Sequence, residues 1–394
     1  MSAPTTTAAK KSALVGRGGH TRLMSLLAVR MMFHDRAKLI GTLLGVVFAT
    51  VLVNQQLGVF LGLLGKNTMF VDNAGADLWV VPPSTQTLQG GTPISLYVLN
   101  QARVADGVAW AEPLLFGTAI MQRPDGGSEP VTLVGTGLTH LAGGPWNLVA
   151  GDVAALRYPD TVIFEDSQRE KLGGLNLGSE RELSGHRVVV GGFTWGLNPF
   201  GPPYAFTRLE TAREIIHTPE DQTTFVLVRL QPGADIAAVQ RDLTERLPNA
   251  LVLSRQQFHD SITWYLIRAQ LGISFGTSTG FAVIVGFVIV SLSMFSAVVD
   301  NVREFGTLKA TGATTFDLAQ LLFVQALSYA FLGTTLGLFL VTRMSEGIRS
   351  PNLSLVLPPE LFVGTYALMA ILCVFASLLA LWRVRNVEPG MVFR

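Results

Sequence analysis

Four stretches without a single Asp, Glu, Lys, Arg or His constrain this chain more than any other feature: Leu39–Gly65, Ala269–Val299, Leu318–Thr342 and Leu361–Trp382. Each exceeds the roughly 20 apolar residues with which a helix crosses a bilayer core. Lipid offers the backbone no hydrogen-bond partners, so such runs are expected as helices, which satisfy their own. Charged residues make up only 14% of the 394 positions, against about 25% in soluble domains, and the mean hydropathy is +0.41. Leu78–Ala102 is also free of charge, but its Pro, Gln, Ser and Gly residues rule it out as a span. The first stretch follows 38 residues and is longer than the roughly 7–15-residue core of a cleaved signal sequence. The reading is four spans: 39–65, 269–299, 318–342 and 361–382.

Basic residues near the span ends set the expected orientation. Lys10, Lys11, Arg17, Arg22, Arg30, Arg36 and Lys38 precede the first span, Arg303 and Lys309 lie between the second and third, and Arg383, Arg385 and Arg394 follow the fourth. Both termini, the 300–317 loop and the 383–394 tail are therefore expected in the cytoplasm, with residues 66–268 and the short 343–360 loop outside. The net charge of +1 gives no argument for nucleic acid, and Cys373, the single cysteine, cannot form an internal disulfide.

Residues 1–20 are small, polar and basic, the composition of a disordered tail. Residues 21–38 mix Leu23, Leu26, Leu27 and Met31 with Arg22, Arg30 and Arg36, which predicts an amphipathic helix on the membrane surface. The 66–268 insert is too long for a structureless connection and is expected to be an α+β domain. Strands are predicted at Asp77–Val81, Val131–Val134, Thr161–Phe164, Arg187–Val190, Phe225–Leu230 and Leu251–Leu253, where β-branched and aromatic residues are bounded by turn residues. Asp235–Leu247 reads as an amphipathic helix with Ile236, Val239 and Leu243 inward, and 126–214 as a separate β-rich lobe. Ser254 and Gln257 have the spacing of a capping box. No Pro follows until after Val299, so one helix is expected from about 255 to 299, its outer part a stalk.

Gly41/Gly45, Gly58/Gly62, Gly272/Gly276/Gly280 and Gly333/Gly337 have the four-residue spacing at which helix backbones approach closely. Gly41, Gly45, Gly272, Gly276 and Gly280 are read as contacts between helices or between two copies of the chain. Asn54-Gln55-Gln56 cannot all share one helix face; partner contact, closeness to the outer surface and a substrate site are all open.

No G-x-x-x-x-G-K-[ST] loop occurs, so nucleotide hydrolysis by that loop is not expected here. Gly276–Gly280 matches G-x-S-x-G, but inside an apolar helix rather than at a strand-to-helix elbow. Histidines 20, 34, 140, 186, 217 and 259 are scattered without metal-ligand spacing, and no metal site is expected. Glu165-Asp166 and Glu220-Asp221 read as solvated turns, so no catalytic residue is assigned. The spans also lack the ionisable residues that ion-driven carriers place within the bilayer.

Val302, Phe305 and Leu308 recur every third residue before Gly312, predicting a short helix with one apolar face and a left-handed terminator. An amphipathic connector is the plain reading. The run Arg303-Glu304-Phe305-Gly306, followed by Lys309-Ala310 and Gly312-Ala313, resembles the coupling-helix signature of the MacB-like/FtsX-like permeases, membrane subunits of mechanotransmitting ABC transporters. The end, Arg383-Val384-Arg385-Asn386-Val387-Glu388-Pro389, is similar to that family's closing pattern. Phe33-His34-Asp35-Arg36 and Asn54-Gln55-Gln56-Leu57-Gly58 resemble the DevC-like subgroup, permeases of the heterocyst-glycolipid exporter type.

The resemblance implies a membrane α-helical fold of the bacterial inner membrane, with a periplasmic domain inserted between helices one and two. It implies no cofactor in this chain, with ATP and Mg bound by a separate ABC ATPase, and a second permease copy, identical or sibling. It also implies a periplasmic membrane-fusion adaptor and a TolC-like outer-membrane channel. Val302, Arg303, Glu304, Phe305, Gly306, Leu308, Lys309 and Gly312 are expected to couple to the ATPase, with Glu304 and Lys309 making polar contacts, Phe305 filling its groove and Gly306 permitting close approach. Arg383, Arg385, Glu388 and Pro389 form the cytoplasmic C-terminal motif. Export of a lipid, drug or peptide is the first reading; lipoprotein release and FtsX-like regulation of cell-wall hydrolases without transport are the others.

Overall fold

The computed structural model describes residues 26, 28–33, 36–89, 92–197, 201–300, 302–347 and 355–385. Two compact units result, Met1–Val59 with Ser274–Ile348 and Leu355–Arg394, and Phe60–Ile273 with Arg349–Ser354. Helix α1, Arg36–Asn73, runs unbroken from the first into the second.

The second unit is built on strands β1 (Leu78–Val81), β2 (Ile94–Ser95), β3 (Val108–Gln122), β4 (Ser128–Thr136), β5 (Leu148–Gly151), β6 (Thr161–Glu165), β7 (Glu180–Leu183), β8 (His186–Thr194), β9 (Tyr204–Arg208), β10 (Gln222–Thr223), β11 (Phe225–Leu230) and β12 (Leu251–Ser254). Between them lie helices α2 (Tyr97–Arg103), α3 (Leu209–Ile215) and α4 (Ile236–Arg246), and α5 (Arg255–Arg268) follows β12. Ten strands form one mixed sheet in the order β12-β1-β11-β3-β4-β9-β6-β8-β5, with β7 against β3 and β8; β2 and β10 pair separately. The β4–β9 and β6–β8 pairs are parallel and the others antiparallel.

Period-two alternation explains why β1 is wholly apolar and β11 apolar but for the exposed Arg229. Trp79, Val81, Phe225 and Leu227 face a core that also holds Phe70 of α1 and Phe258 and Ile262 of α5. Leu78, Val80, Val226 and Val228 face the opposite core, with Leu99 and Ala102 of α2 and Val239 and Leu243 of α4. Buried on both sides, such strands need no polar face.

The expected separate lobe at 126–214 is not a separate sheet. It has its own core of Leu133, Phe164, Phe193, Ala212 and Ile215, but β3 pairs with β11 over Val108–Leu114 and with β4 over Leu114–Gln122, joining both halves. This one long strand serves three cores, with Val108 and Ala111 in one, Leu114 and Phe116 in a second and Leu115, Ala119 and Met121 in the third.

The first unit contains α6 (Gln270–Asp300) from Ser274 onward, α7 (Val302–Ala310), α8 (Thr315–Gly347) and α9 (Pro359–Arg385). Among the described residues, four helices are long and apolar enough to cross a membrane: Arg36–Asn73, Leu271–Ser296, Thr315–Gly347 and Pro359–Leu381. The expected continuous helix over 255–299 is instead two. α5 begins with a full capping box between Ser254 and Gln257 and stops at Ala269, which is extended at φ −74°, ψ 176°. Gly272, in the first turn of α6, lies against this break: a Cβ there would stand 1.8 Å from the Ile267 carbonyl oxygen, so glycine permits the close approach.

α1 is the middle helix of the first unit. Gly45 packs on Ile289 and Gly286 on Ala49, joining α1 to α6; Gly333 packs on Val46 and Gly337 on Thr50, joining α1 to α8. In lipid these close approaches hold helices by van der Waals contact rather than by hydrophobic burial. Residues 28–33 are helical. Ala28 is buried, and its carbonyl accepts from Gln325 Nε2 at 3.2 Å, so this segment packs on α8.

Candidate functional site

The segment singled out in the sequence is α7, and its geometry follows from its caps. Gly312 has φ +100°, Gly312 N–H donates to Lys309 O at 3.1 Å and Ala313 N–H to Leu308 O at 2.9 Å, the paired bonds of a Schellman terminus. Thr314 then caps α8. Its N–H donates to Asp317 Oδ2 at 2.8 Å while Asp317 N–H donates back to Thr314 Oγ1 at 3.3 Å. Only Thr311 to Thr314 separate the two helices, which fixes where α7 can point.

The apolar face of α7 is turned inward. Phe305 is only 2% exposed and belongs to one packed core with Val298, Leu318, Leu321 and Leu322, against which Leu308 is half-buried. Gly306 is buried and Lys309 half-buried. The expectation that Phe305 fills a groove on a partner is therefore corrected: its ring is already enclosed by its own chain. Glu304, Thr307, Ala310 and Thr311 form the exposed surface. Thr307 Oγ1 donates to Glu304 O at 2.8 Å, which turns that hydroxyl onto its own helix. Val302 and Arg303 lie in the first turn of α7 and Arg383 and Arg385 at the end of α9; Glu388 and Pro389 lie outside the described residues.

The glycines separate by role. Gly45 meets α6, and Gly272 belongs to the chain break. Gly41, Gly276 and Gly280 have open space where a Cβ would stand. Asn54, left open in the sequence, is fully buried. It donates to Thr50 O at 2.8 Å and accepts from Thr365 Oγ1 at 3.1 Å, tying α1 to α9. Gln55 is exposed.

Glu165 is not a solvated turn residue. It is 0% exposed at the end of β6, where its carboxylate accepts from Thr194 Oγ1 (2.9 Å), Gly196 N–H (2.7 Å) and Leu197 N–H (3.2 Å). The Gly196 carbonyl in turn accepts from Lys66 Nζ at 2.7 Å, linking α1 to the β8–β9 connection. Glu220 and Asp221 are exposed, as expected. Three of the scattered histidines meet a carboxylate: His140 with Glu112 (2.8 Å), His186 with Asp160 (2.8 Å) and His259 with Asp72 (3.1 Å). Nothing local in the sequence signals these pairs, because every partner arrives from a different element.

Among the described residues, four helices of membrane-crossing length and composition, an α+β unit between the first and second, and a capped amphipathic helix between the second and third define the architecture of a multi-span membrane protein. Residues 39–246 match the MacB-like periplasmic core domain and residues 276–389 the FtsX-like permease C-terminal domain. The chain belongs to this MacB/FtsX-type family of ABC transporter permeases, which implies an ABC ATPase partner in general.

Three solved structures are similar. The periplasmic region of MacB from Actinobacillus actinomycetemcomitans is 12% identical, with 51% of this chain and 99% of that one covered and a TM-score of 0.37. The extracellular domain of the noncanonic ABC-type transporter YknZ from Gram-positive bacteria is 15% identical over 45% and 99%, with a TM-score of 0.34. A domain of a permease protein from Porphyromonas gingivalis is 18% identical over 45% and 87%, with a TM-score of 0.32. No curated protein matches the chain in sequence.

Proposed function

We propose that this chain is the permease subunit of a mechanotransmitting exporter, in which a separate ABC ATPase drives motion of the periplasmic domain. The observation that carries the reading is the two-sidedness of α7. Its polar surface, Glu304, Thr307 and Thr311, is exposed, while Phe305 on its other side is locked into the core of the membrane helices. A push on the exposed face reaches Val298 of α6 and Leu318 of α8 through Phe305. α1 and α6 are each continuous across a boundary between the two units, and a helix transmits displacement along its axis without reorganising its hydrogen bonds. In this reading Phe305 is the chain's own end of the lever, and the ATPase contacts the polar face.

The basic residues flanking the spans support cytoplasmic termini and a cytoplasmic α7. ATP and Mg are held by the ATPase. Gly276 and Gly280 are assigned to contact with a second permease copy, which would fill the open space beside them. A membrane-fusion adaptor and a TolC-like channel complete an export path for a lipid, drug or peptide, and Asn54–Gly58 supports the finer DevC-like placement.

The test is purification of the full chain from native membranes with identification of its partners, using Glu304→Arg/Thr307→Arg as the control. An ATPase lost in the control and a periplasmic adaptor retained in both supports export. A lipoprotein carrier or a cell-wall hydrolase in place of the adaptor replaces export with release or regulation. No ATPase in either sample refutes the coupling role.

A further inference from the structure

Two carboxylates from separate elements converge on one imidazole nitrogen in the second unit. Asp160 lies in the turn before β6, His186 opens β8 and Glu214 is in α3. His186 Nε2 is 2.8 Å from Asp160 Oδ1 and 4.0 Å from Glu214 Oε2, and the three ligating atoms all lie within 4.8 Å of one another. The backbone beneath them is fixed by the same neighbours. Asp160 N–H donates to Thr211 Oγ1 at 3.2 Å, one turn before Glu214 in α3, and Asp160 O accepts from Val189 N–H at 2.8 Å, three residues beyond His186. Asp160 itself is held at φ +58°, a left-handed conformation that aspartate adopts less readily than glycine.

Two carboxylates this close need positive charge between them. Among the described residues, the ion pairs of Asp160 and Glu214 are both with His186, which supplies at most one charge. A divalent ion supplies two and takes the imidazole in its neutral form. One imidazole and two carboxylates suit zinc better than magnesium or calcium, which favour all-oxygen shells. Zinc bonds of ~2.0–2.2 Å place tetrahedral ligands about 3.4 Å apart. Reaching that spacing from 2.8 and 4.0 Å would call on side-chain rotation, mainly of the exposed Glu214.

We propose that Asp160, His186 and Glu214 form a divalent transition-metal site, fitted to zinc, that pins α3 to the N-terminal ends of β6 and β8 and leaves one coordination position for water or a ligand.

The test is calorimetric titration of Zn²⁺ alone into the detergent-solubilised full chain, carrying no polyhistidine tag, with Mg²⁺ and Ca²⁺ as comparison ions. The expected result is saturable binding of one Zn²⁺ per chain, selective over both comparison ions, and weakened at least about 10–100-fold by His186→Ala and by Glu214→Gln. Glu214→Gln alters an exposed side chain, and an unchanged melting temperature without zinc certifies its fold. Absence of saturable binding, or Zn²⁺ affinity unchanged in both variants, overturns the site and leaves an ordinary histidine–carboxylate ion pair.

Discussion

Thr365 in α9 shares its single hydroxyl proton between Asn54 Oδ1 in α1, at 3.1 Å, and Leu361 O in its own helix, at 2.8 Å. Both side chains are buried, Asn54 at 0% and Thr365 at 2% exposure. An amide without partners would be costly in such surroundings, so this contact is expected to hold the first and last spans together. Interhelical hydrogen bonds of this kind average about 0.6 kcal/mol. A double-mutant cycle with Asn54→Ala and Thr365→Val, read by unfolding of the full chain in detergent, should return a coupling energy of that order. Strictly additive single effects would show that the two residues are merely neighbours.

The glycines separate into two groups with different expected costs. A Cβ at Gly333 would come within 2.6 Å of Val46, whereas one at Gly276 meets nothing within 4 Å. Gly333→Ala should destabilise the chain by about 1–3 kcal/mol through overpacking. Gly276→Ala should leave the melting temperature of the single chain unchanged and, with a second copy packed there, lower the yield of crosslinked dimer. Equal melting losses in both variants would contradict the packing of α1 described above.

Glu165 anchors the β6 and β8 ends of the sheet. Glu165→Ala leaves the N–H groups of Gly196 and Leu197 without their acceptor, and loss of bonds to a buried charged group costs about 1.5–3 kcal/mol each before relaxation. The variant should therefore unfold in less denaturant than the native chain, with Glu165→Gln between the two. Faster hydrogen exchange should be concentrated at Gly196 and Leu197. Native exchange at both amides in Glu165→Ala would contradict the anchoring role.

Much of the fold was legible because its causes are local. The charge-free runs marked the membrane helices, and β-branched runs between turn residues marked β1, β4, β6, β8, β11 and β12. The strand that unifies the domain is not legible in the sequence: β3 contains Pro113 and Gly117 and is apolar on both faces over Leu114–Phe116, so neither alternation nor propensity announces it. α2 and α3 are seven residues each, too short for helical periodicity to register. The break at Ala269 carries no proline and depends on Gly272 meeting the Ile267 carbonyl, a contact visible only in three dimensions. Phe305 shows the limit most clearly. Its three-residue spacing fixed which side of α7 is apolar but could not tell whether a partner or the chain itself covers it. The burial of Glu165 and the pairing of His186 with Asp160 are not legible for the same reason, since their partners lie at distant positions in the chain.

In the proposed coupling, α7 meets the ATPase through Glu304, Thr307 and Thr311 while Phe305 stays packed against Val298, Leu318, Leu321 and Leu322. The most direct test of this coupling compares Thr307→Arg with Phe305→Ala in the purified full chain, measuring both ATPase retention and melting temperature. Thr307→Arg should lose the ATPase at an unchanged melting temperature, because its side chain is exposed. Phe305→Ala should lower the melting temperature first, because a ring only 2% exposed leaves a cavity when removed. The opposite pattern, ATPase lost from a fully stable Phe305→Ala chain and retained by Thr307→Arg, would put Phe305 in the partner's groove and contradict the account.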